Sequence, residues 1–309
     1  MPNKSPGDFQ LKMLHPKYWP IWCGYGVLWL IVQMPFRWII QFGLGVGWLA
    51  GRILKSRRHV AATNIRLCFP ELSVQEQHQL VEQNLKEAGV SLMETGIAWF
   101  WSRKRILQLI DFEGDEHIQN ALNNNKGMLM LACHMMNLEV GCRMFAELHH
   151  ANGLYRPNKN LVLEYFQYNG RSRTGAGMLD RNNIRAAFRA LKKGERLWYA
   201  PDQDLGPRRS IFVPFFGIED TATTPAAGPL ADKGNAVVVP FMQYRKADNS
   251  GYKMVLQAPL ENFPAGDEIV DTTRINAVIE QNIRQCPSQY LWVHRRFKTR
   301  PERSMPSRY

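Results

Sequence analysis

An uncharged run of 19 residues near the amino end constrains this chain more than any other feature. It lies between Lys17 and Arg37 and reads YWPIWCGYGVLWLIVQMPF. As a helix it would extend about 28 Å, which matches the hydrocarbon core of a bilayer. Aromatic residues at both ends are typical of interfacial anchors. The run predicts a transmembrane helix over 18–36, with a buried core helix as the alternative because Gly24 and Gly26 weaken it.

A second uncharged stretch, 38–51, is too short to span a bilayer and contains four glycines among bulky apolar residues. Four basic residues follow it at once, and they are Arg52, Lys55, Arg57 and Arg58. We predict an interfacial helix with a basic segment over 37–59, after an amino-terminal tail over 1–17. Positive charge at this position favours the cytoplasmic side for the domain that follows.

The formal net charge is +12, from 39 basic and 27 acidic residues. Most of the excess lies in two short stretches, 52–58 and 294–309. Local positive charge implies an anionic partner, either lipid head groups or nucleic acid, and the neighbouring apolar segments favour lipid. The five cysteines are scattered and odd in number, which indicates a reducing compartment rather than a disulfide scaffold.

Residues 60–309 are predicted to form one domain in which helices and strands alternate. Ser73 and Glu76 form a capping-box pattern at the start of a long helix towards Trp101. The predicted strands are at 127–133, around Leu154, and at 196–200, 211–216, 236–244 and 252–258. The later helices are predicted at 140–148, 182–193, 223–233 and 271–285. This alternation predicts an α/β fold with a mixed sheet flanked by helices.

The clearest chemical signal follows the first buried strand, in the segment ACHMMNLEVG. His134 stands where strand passes into helix, at the kind of strand end where α/β sheets bind ligands. Glu139 lies five residues on, and a short connection would let its carboxylate orient the imidazole and stabilise an imidazolium. Such a pair would activate a hydroxyl group. From spacing alone, His134 is equally well a core or cap histidine and Glu139 an ordinary first-turn acid.

Two further groups of polar residues follow predicted strands. Arg156 and Asn158 follow the strand around Leu154, and an arginine at a strand end is suited to a phosphate or an oxyanion. Asp202 and Asp204 follow the strand at 196–200. Their D-x-D spacing is compatible with a divalent metal for a nucleotide-sugar donor, or with two acids that cap a loop.

Several longer segments resemble the late acyltransferases of lipid A biosynthesis, the lauroyl and myristoyl transferases of Gram-negative bacteria. Besides the amino-terminal run and H-x4-E, they are NIRLCFPELS, LMETGIAWFW, YRPNKN, YAPDQDLGP, VPFFG and HRRFKTRPE. The resemblance covers nearly the whole chain and is nearest to the lauroyl type. It implies a glycerophospholipid-acyltransferase-like fold.

A more distant similarity connects the chain to the glycerophospholipid acyltransferases themselves. Their histidine–aspartate box, arginine block and V-P block would fall at His134, Arg156 and Pro240. The chain departs from that pattern with Glu139 in place of the aspartate, and with APDQD where F-P-E-G-x-R would stand. These departures count against a glycerol-phosphate acceptor.

The resemblance implies a reaction at the cytoplasmic face of the Gram-negative inner membrane. An acyl carrier protein would deliver a fatty acyl thioester, and the acceptor would be a hydroxyacyl 3-hydroxyl of a lipid A precursor. The ester would form by direct attack, without an acyl-enzyme, a metal or another cofactor. The basic stretches suit the carrier protein, the phosphates of lipid A and anionic membrane lipids, and nucleic acid is not an expected partner.

The resemblance also assigns roles to individual residues. His134 would deprotonate the hydroxyl, and Glu139 would orient His134. Arg156 would contact a phosphate or the developing oxyanion, and Asn158, in the same loop, would also bind the substrate. The remaining two acids, Asp202 and Asp204, would organise the sugar side or the Arg156 loop.

Other functions stay open at this stage. The chain is alternatively a glycerophospholipid or glycolipid acyltransferase, or a metal-dependent membrane glycosyltransferase that uses Asp202 and Asp204. A non-catalytic protein that binds anionic lipid or nucleic acid would explain the charge but not the H-x4-E motif.

Overall fold

The structure, a computed structural model, describes residues 5–309, so the first four residues of the predicted tail lie outside it. Five α-helices precede the first strand within this range, after two short 3-10 helices at Leu11–Leu14 and Pro16–Tyr18. They are α1 (Trp19–Ile31), α2 (Phe36–Ile53), α3 (Lys55–Cys68), α4 (Val74–Phe100) and α5 (Arg103–Leu107). α4 begins at the predicted capping box, in which Ser73 and Glu76 bond to each other's backbone N–H groups.

Strands and helices alternate over the rest of the chain. The strands are β1 (Ile110–Glu113), β2 (Gly127–Leu131), β3 (Asn152–Tyr155), β4 (Gly177–Asp180), β5 (Arg196–Tyr199), β6 (Ile211–Phe215), β7 (Ile218–Thr223), β8 (Ala236–Arg245) and β9 (Tyr252–Leu256). The helices are α6 (Asp115–Asn123), α7 (Leu138–Leu148), α8 (Leu161–Ser172), α9 (Ile184–Lys192), α10 (Ala227–Gly234) and α11 (Glu268–Gln285).

The described strands form a seven-stranded sheet in the order β1-β9-β8-β2-β5-β3-β4 and a separate β6-β7 hairpin. Pairing in the large sheet is parallel except between β8 and β9. The predicted α/β fold with a mixed sheet flanked by helices is confirmed.

Both faces of the sheet are covered by helices, and the long α4 contributes residues to both cores. Leu129 and Leu131 of β2 belong to the core that contains residues of α9, α10 and α11. Met128 and Met130 point the other way, into the core formed with α4, α6 and α7. α8 contacts α4, α7 and β4, and α1 contacts α4 and α8. α1 and the start of α2 therefore lie on the same side of the sheet as α7, whereas α3 and the first half of α4 pack in the core with α9.

α2 packs closely against α4 along a row of glycines. Gly43, Gly47 and Gly51 are buried, and a Cβ atom on Gly89 of α4 would collide with the backbone of Gly43 and Gly47. Only residues without a side chain permit such an approach. This packing leaves the bulky residues on the other side of α2 exposed to solvent.

The structure does not support the predicted transmembrane helix over 18–36. α1 has 13 residues and ends at Ile31, and α2 begins at Phe36 after Pro35. A helix of that length extends about 20 Å, which is less than the thickness of the hydrocarbon core. Pro35 also disfavours helical geometry at the residue before it. Among residues 5–309, no helix is both long enough and apolar enough to cross a membrane.

Half of the basic residues in the stretch 294–309 are not free, whereas Arg295, Lys298 and Arg303 are exposed. Arg296 is buried and bonds to the Ala222 carbonyl and to Thr223. Arg300 and Arg308 both pair with Asp220. Clustering of charge along the sequence therefore does not mean clustering of available charge on the surface.

Candidate functional site

Four neighbouring parallel strands end at the same edge of the sheet. His134 follows β2, and Asp202 follows β5, which pairs with β2. Arg156 follows β3 and Arg181 follows β4. Because the carboxyl ends of parallel strands meet at one edge, residues far apart in sequence converge there.

A buried carboxylate holds the imidazole of His134. The Nδ1 atom of His134 lies 2.7 Å from Oδ1 of Asp202, and the backbone N–H of His134 donates to Oδ2 at 2.8 Å. The Asp202 side chain is fully buried, whereas 24% of the His134 side chain is exposed. Because Nδ1 is engaged, Nε2 is the ring nitrogen left to act on a ligand.

The environment of Asp202 keeps it ionised. The hydroxyl of Tyr290 donates to its Oδ2 at 2.9 Å. Burial acts to raise the pKa of Asp202, but the charge interaction with His134 and hydrogen bonds from His134 and Tyr290 outweigh it and lower the pKa to about 2. At neutral pH the carboxylate can therefore stabilise an imidazolium at His134.

A segment close to the carboxyl end supports the His134 loop from behind. The backbone N–H of Leu291 donates to the His134 carbonyl at 3.1 Å, and that of Met136 donates to the Gln289 carbonyl at 2.7 Å. Tyr290 lies between these two bonds and reaches Asp202 with its side chain. The segment thus fixes the backbone of His134 and the carboxylate that holds its ring.

Glu139 lines the same cavity as His134, but its hydrogen bonds go elsewhere. Trp99 Nε1 donates to Oε2 of Glu139 at 3.1 Å, and Arg171 Nε lies 3.1 Å from both carboxylate oxygens. Asp202, not Glu139, is the carboxylate bonded to His134, which corrects the expected dyad geometry. Glu139 stands in the first turn of α7, which carries it towards α8. A catalytic role for Glu139 stays a prediction.

The Glu139–Arg171 ion pair forms a charged part of the cavity wall. Burial acts to lower the pKa of Arg171, but the charge of Glu139 and its hydrogen bonds raise it overall. The guanidinium is therefore held charged and in a fixed orientation. Such a group is suited to a phosphate or an oxyanion.

The cavity beside these residues has a volume of about 410 Å³, which is within the range of small-ligand sites. Its polar lining includes His134, Glu139, Asn152, Tyr155, Arg156, Gln167, Arg171, Arg181 and Gln203. Its apolar lining includes Ala98, Trp99, Leu138, Phe145, Ala146, Leu154, Met178 and Trp198. An apolar chain with a polar, reactive end fits such a lining.

Cys142 also lines the cavity, yet it is a poor nucleophile. Burial, and then the charge of Glu139, raise the pKa of its thiol to about 12. The thiolate is the reactive form of cysteine, and it is scarce at neutral pH when the pKa is this high. A ring nitrogen of His134 is therefore available in this cavity, whereas a Cys142 thiolate is scarce.

The structure brings some of the other predicted residues to the cavity and not others. Arg156 is exposed and lines it. The Asn158 side chain instead accepts from the Asn160 backbone at 2.9 Å, and the cavity lining in the described chain does not include it. Asp204 accepts from the backbone and the hydroxyl of Thr299, both at 2.8 Å. Asp204 thus anchors the chain near its carboxyl end.

The two acids of the D-x-D sequence are committed to different partners. Asp202 bonds to His134 and Tyr290, whereas Asp204 bonds to Thr299. Over residues 5–309, no three His, Cys, Asp or Glu side chains are grouped as metal ligands. This arrangement does not favour the glycosyltransferase alternative, which needs both acids on one metal.

Three residues of the site were not predicted from the sequence, and they are Arg171, Trp99 and Tyr290. Arg171 lies on α8, whose start is marked by Asn160, since the Asn160 side chain accepts from the first backbone N–H groups of that helix. That cap was the available signal for the helix. Neither Trp99 nor Tyr290 carries a local signal, because each meets its partner only in the folded chain.

Comparison with known proteins identifies relatives along the whole chain. The family model described as bacterial lipid A biosynthesis acyltransferase matches residues 7–299. The lipid A biosynthesis lauroyltransferase of Escherichia coli (strain K12) is 44% identical over 97% of this chain and 98% of the relative. The palmitoleoyltransferase of the same organism is 41% identical over 95% of both. A lipid A biosynthesis acyltransferase of Haemophilus influenzae is 37% identical over 100% of both.

Proposed function

The chain belongs to the bacterial lipid A biosynthesis acyltransferases, and on that premise we propose the reaction that it catalyses. It transfers a fatty acyl chain from an acyl carrier protein thioester to the 3-hydroxyl of a hydroxyacyl group on a lipid A precursor. The observation that carries this proposal is the ring of His134, held through Nδ1 by the ionised Asp202 at the wall of a largely apolar cavity.

The transfer is a direct displacement. Nε2 of His134 removes the proton of the acceptor hydroxyl while its oxygen attacks the thioester carbonyl carbon. The resulting imidazolium is stabilised by Asp202. When the carbon–sulfur bond breaks, the thiolate leaves and takes the proton from His134. The acyl group ends in a secondary ester, and the free base is restored.

The Arg171 guanidinium, oriented by its ion pair with Glu139, takes part in the same reaction. The Arg171 guanidinium lines the cavity together with His134 and is oriented by two carboxylate oxygens. A preoriented cation in a partly buried site stabilises the oxyanion that develops at the thioester carbonyl. Arg156, which is exposed at the cavity, is suited to a phosphate of the acceptor.

Mass spectrometry of the lipid product tests this reaction. The purified protein is incubated with a tetra-acylated lipid A precursor and a panel of acyl carrier protein thioesters. We expect a product heavier by one acyl group, and fragmentation that locates it on a hydroxyacyl chain. A precursor analogue without 3-hydroxyl groups serves as the control and should remain unmodified. Acylation of that analogue, or transfer to lysophosphatidic acid instead, would refute the proposed acceptor.

We further propose that the protein works on the cytoplasmic face of the Gram-negative inner membrane, in contact with its surface. Many large apolar side chains are exposed near the amino end, and they are Phe9, Leu11, Leu14, Trp19, Val27, Trp29, Leu30, Trp38, Phe42, Trp48, Leu49, Ile53 and Leu54. We call them the apolar surface. A concentration of exposed apolar residues next to basic ones supports binding to anionic lipid.

The double substitution Trp29→Ser with Trp38→Ser should weaken binding to vesicles that contain anionic phospholipid. These side chains are 49% and 69% exposed, so their loss removes apolar contact without opening the core. Each large apolar side chain buried on binding contributes about 1.5–3 kcal/mol, so the expected loss is tenfold or more. Cosedimentation measures it. Leu122→Ser with Ile269→Ser, also exposed, is the matched control, and equal binding by both doubles would contradict the proposal.

A further inference from the structure

α9 presents three basic side chains on one side of the helix. Arg185, Arg189 and Lys192 are exposed, and their spacing of four and three residues aligns them. At 1.5 Å per residue they extend over about 10 Å. The other side of α9 packs into the core through Ala187 and Leu191. We call the three basic residues the α9 stripe.

The charge of the α9 stripe is not neutralised within the described chain. None of its residues has a carboxylate within ion-pair distance in residues 5–309. The acids that flank α9 in sequence have other partners, since Asp180 accepts from the Asn182 backbone and Glu195 from the Asn152 amide. In contrast, Arg300 and Arg308 are neutralised by Asp220.

Positive charge continues from the α9 stripe to the cavity. Arg181 lies between β4 and α9, is exposed and lines the cavity that holds His134. Its backbone N–H donates to the Tyr155 carbonyl at 3.0 Å, which joins its loop to the one that carries Arg156. A partner bound along α9 would therefore lie beside an entrance to the reactive site.

The α9 stripe and the part of the apolar surface on α1 and the start of α2 lie on opposite sides of the large sheet. α9 packs in the core with Leu129 and Leu131, whereas Leu28 of α1 and Ile39 of α2 belong to the core of the other face. A membrane in contact with the apolar surface would leave α9 turned towards the aqueous side. The geometry therefore favours a soluble acidic partner over a lipid surface for this stripe.

We propose that the α9 stripe, together with Arg181, is the docking surface for the acyl carrier protein. This inference rests on the proposed function, which requires a soluble protein to deliver the thioester to the cavity. Carboxylates spaced three or four residues apart on a helix of that protein would match the spacing of Arg185, Arg189 and Lys192. Charges at the rim of an interface chiefly accelerate association and set orientation.

Charge reversal with two donors tests the docking surface. The full-length double variant Arg185→Glu with Arg189→Glu is compared with wild type using an acyl carrier protein thioester and the same acyl chain on pantetheine. At low ionic strength we expect kcat/KM to fall about tenfold or more with the carrier protein, since steering contributes 10–10³-fold, and to stay unchanged with pantetheine. Added salt should reduce the difference in kcat/KM between the variant and wild type with the carrier protein, because it screens the charges.

Two further variants keep the test decisive. Arg66→Glu with Lys104→Glu makes the same charge change on α3 and α5, at exposed residues that have no ion pair within residues 5–309, and it should match wild type. The double variant Arg185→Gln with Arg189→Gln should lose less kcat/KM with the carrier protein than the charge-reversal variant does. If the charge-reversal variant does not fold, the glutamine variant takes its place in the test. The docking surface would be overturned if the α9 variants lost no kcat/KM with the carrier protein, or lost as much with pantetheine. It would also be overturned if the Arg66 and Lys104 control lost as much as the α9 variants.

The outcomes also separate this inference from the proposed function. If wild type uses neither thioester, the proposed function fails. If wild type uses both and the α9 variants are unaffected with the carrier protein, only the docking surface fails. Reduced binding of the α9 variants to anionic vesicles, with unchanged use of the carrier protein, would assign the stripe to lipid and overturn the inference.

Discussion

Replacing His134 with alanine should lower kcat/KM for acyl transfer about 10²–10⁴-fold, the usual cost of removing a general base. Its ring is held by Asp202 through Nδ1, so Nε2 is the atom positioned to accept the hydroxyl proton. Because 24% of the side chain is exposed and it stands at a loop, the variant should keep its circular dichroism spectrum and its vesicle binding. Initial rates with radiolabelled acyl thioester measure the loss.

Cys142→Ser is the matched control for the His134 variant. Cys142 lines the same cavity, and its raised pKa, about 12, keeps the thiol protonated. We therefore expect transfer close to the wild-type rate from the serine variant. A covalent acyl adduct on Cys142, together with an inactive serine variant and an active His134→Ala variant, would replace direct displacement with a thiol mechanism.

The parts of the fold that the sequence revealed are the buried, central ones. β2 and β8 are central strands with long apolar runs, and α4 starts at a capping box. Of the three strands that were not predicted, β7 pairs only with β6, whereas β1 and β4 are the two edges of the large sheet. β1 and β4 have four residues each and are only partly buried. Short edge strands need little apolar patterning, so their sequences resemble loops.

Two aromatic residues of the amino-terminal run have partners inside the protein that its composition does not reveal. Tyr25 stacks on Phe166 of α8 with ring centroids 3.9 Å apart, and Trp22 contacts the same ring edge-on at 5.1 Å. Composition alone does not distinguish an aromatic residue that packs on a neighbouring helix from one that anchors in a membrane interface.

The site was half predictable for a related reason. His134 was found because a strand end followed by a helix is a local pattern. Its carboxylate partner, Asp202, comes from the adjacent strand, 68 residues further along the chain, and Tyr290 is more distant still. Glu139 was the carboxylate nearest in sequence, but its partner is Arg171 on a helix that the sequence analysis did not identify. Local spacing cannot reveal which carboxylate an imidazole meets across a sheet.

The variant Asp202→Asn should lower kcat about 10²–10⁴-fold, because it disturbs the tautomer of His134. Oδ2 of Asp202 accepts from the His134 backbone and from Tyr290, so the asparagine oxygen is required on that side. Its amide group then faces Nδ1 as a donor, and the ring hydrogen must move to Nε2. The base atom is lost although the imidazole remains. Nitrogen-15 NMR of the ring reports the tautomer, and single-turnover kinetics report the rate.

The acid stability of the same variant gives an independent readout. Burial alone would raise the pKa of Asp202, but His134 and the hydrogen bonds lower it from 3.8 to about 2 in the folded protein. The wild-type carboxylate therefore stabilises the fold above about pH 4, and this contribution is lost as the pH falls towards 2. Urea unfolding across that range should show the decline in wild type and a smaller decline in Asp202→Asn.

The comparison with Glu139→Gln decides which carboxylate orients the base. That substitution leaves the His134–Asp202 bond intact and removes the charge that faces Arg171, so transfer should fall while the ring tautomer of His134 stays as in wild type. Asp202→Asn should change both the transfer rate and the ring tautomer of His134. If Glu139→Gln alters the tautomer and Asp202→Asn does not, the orienting role belongs to Glu139, and the bond between His134 and Asp202 serves only to hold the loop.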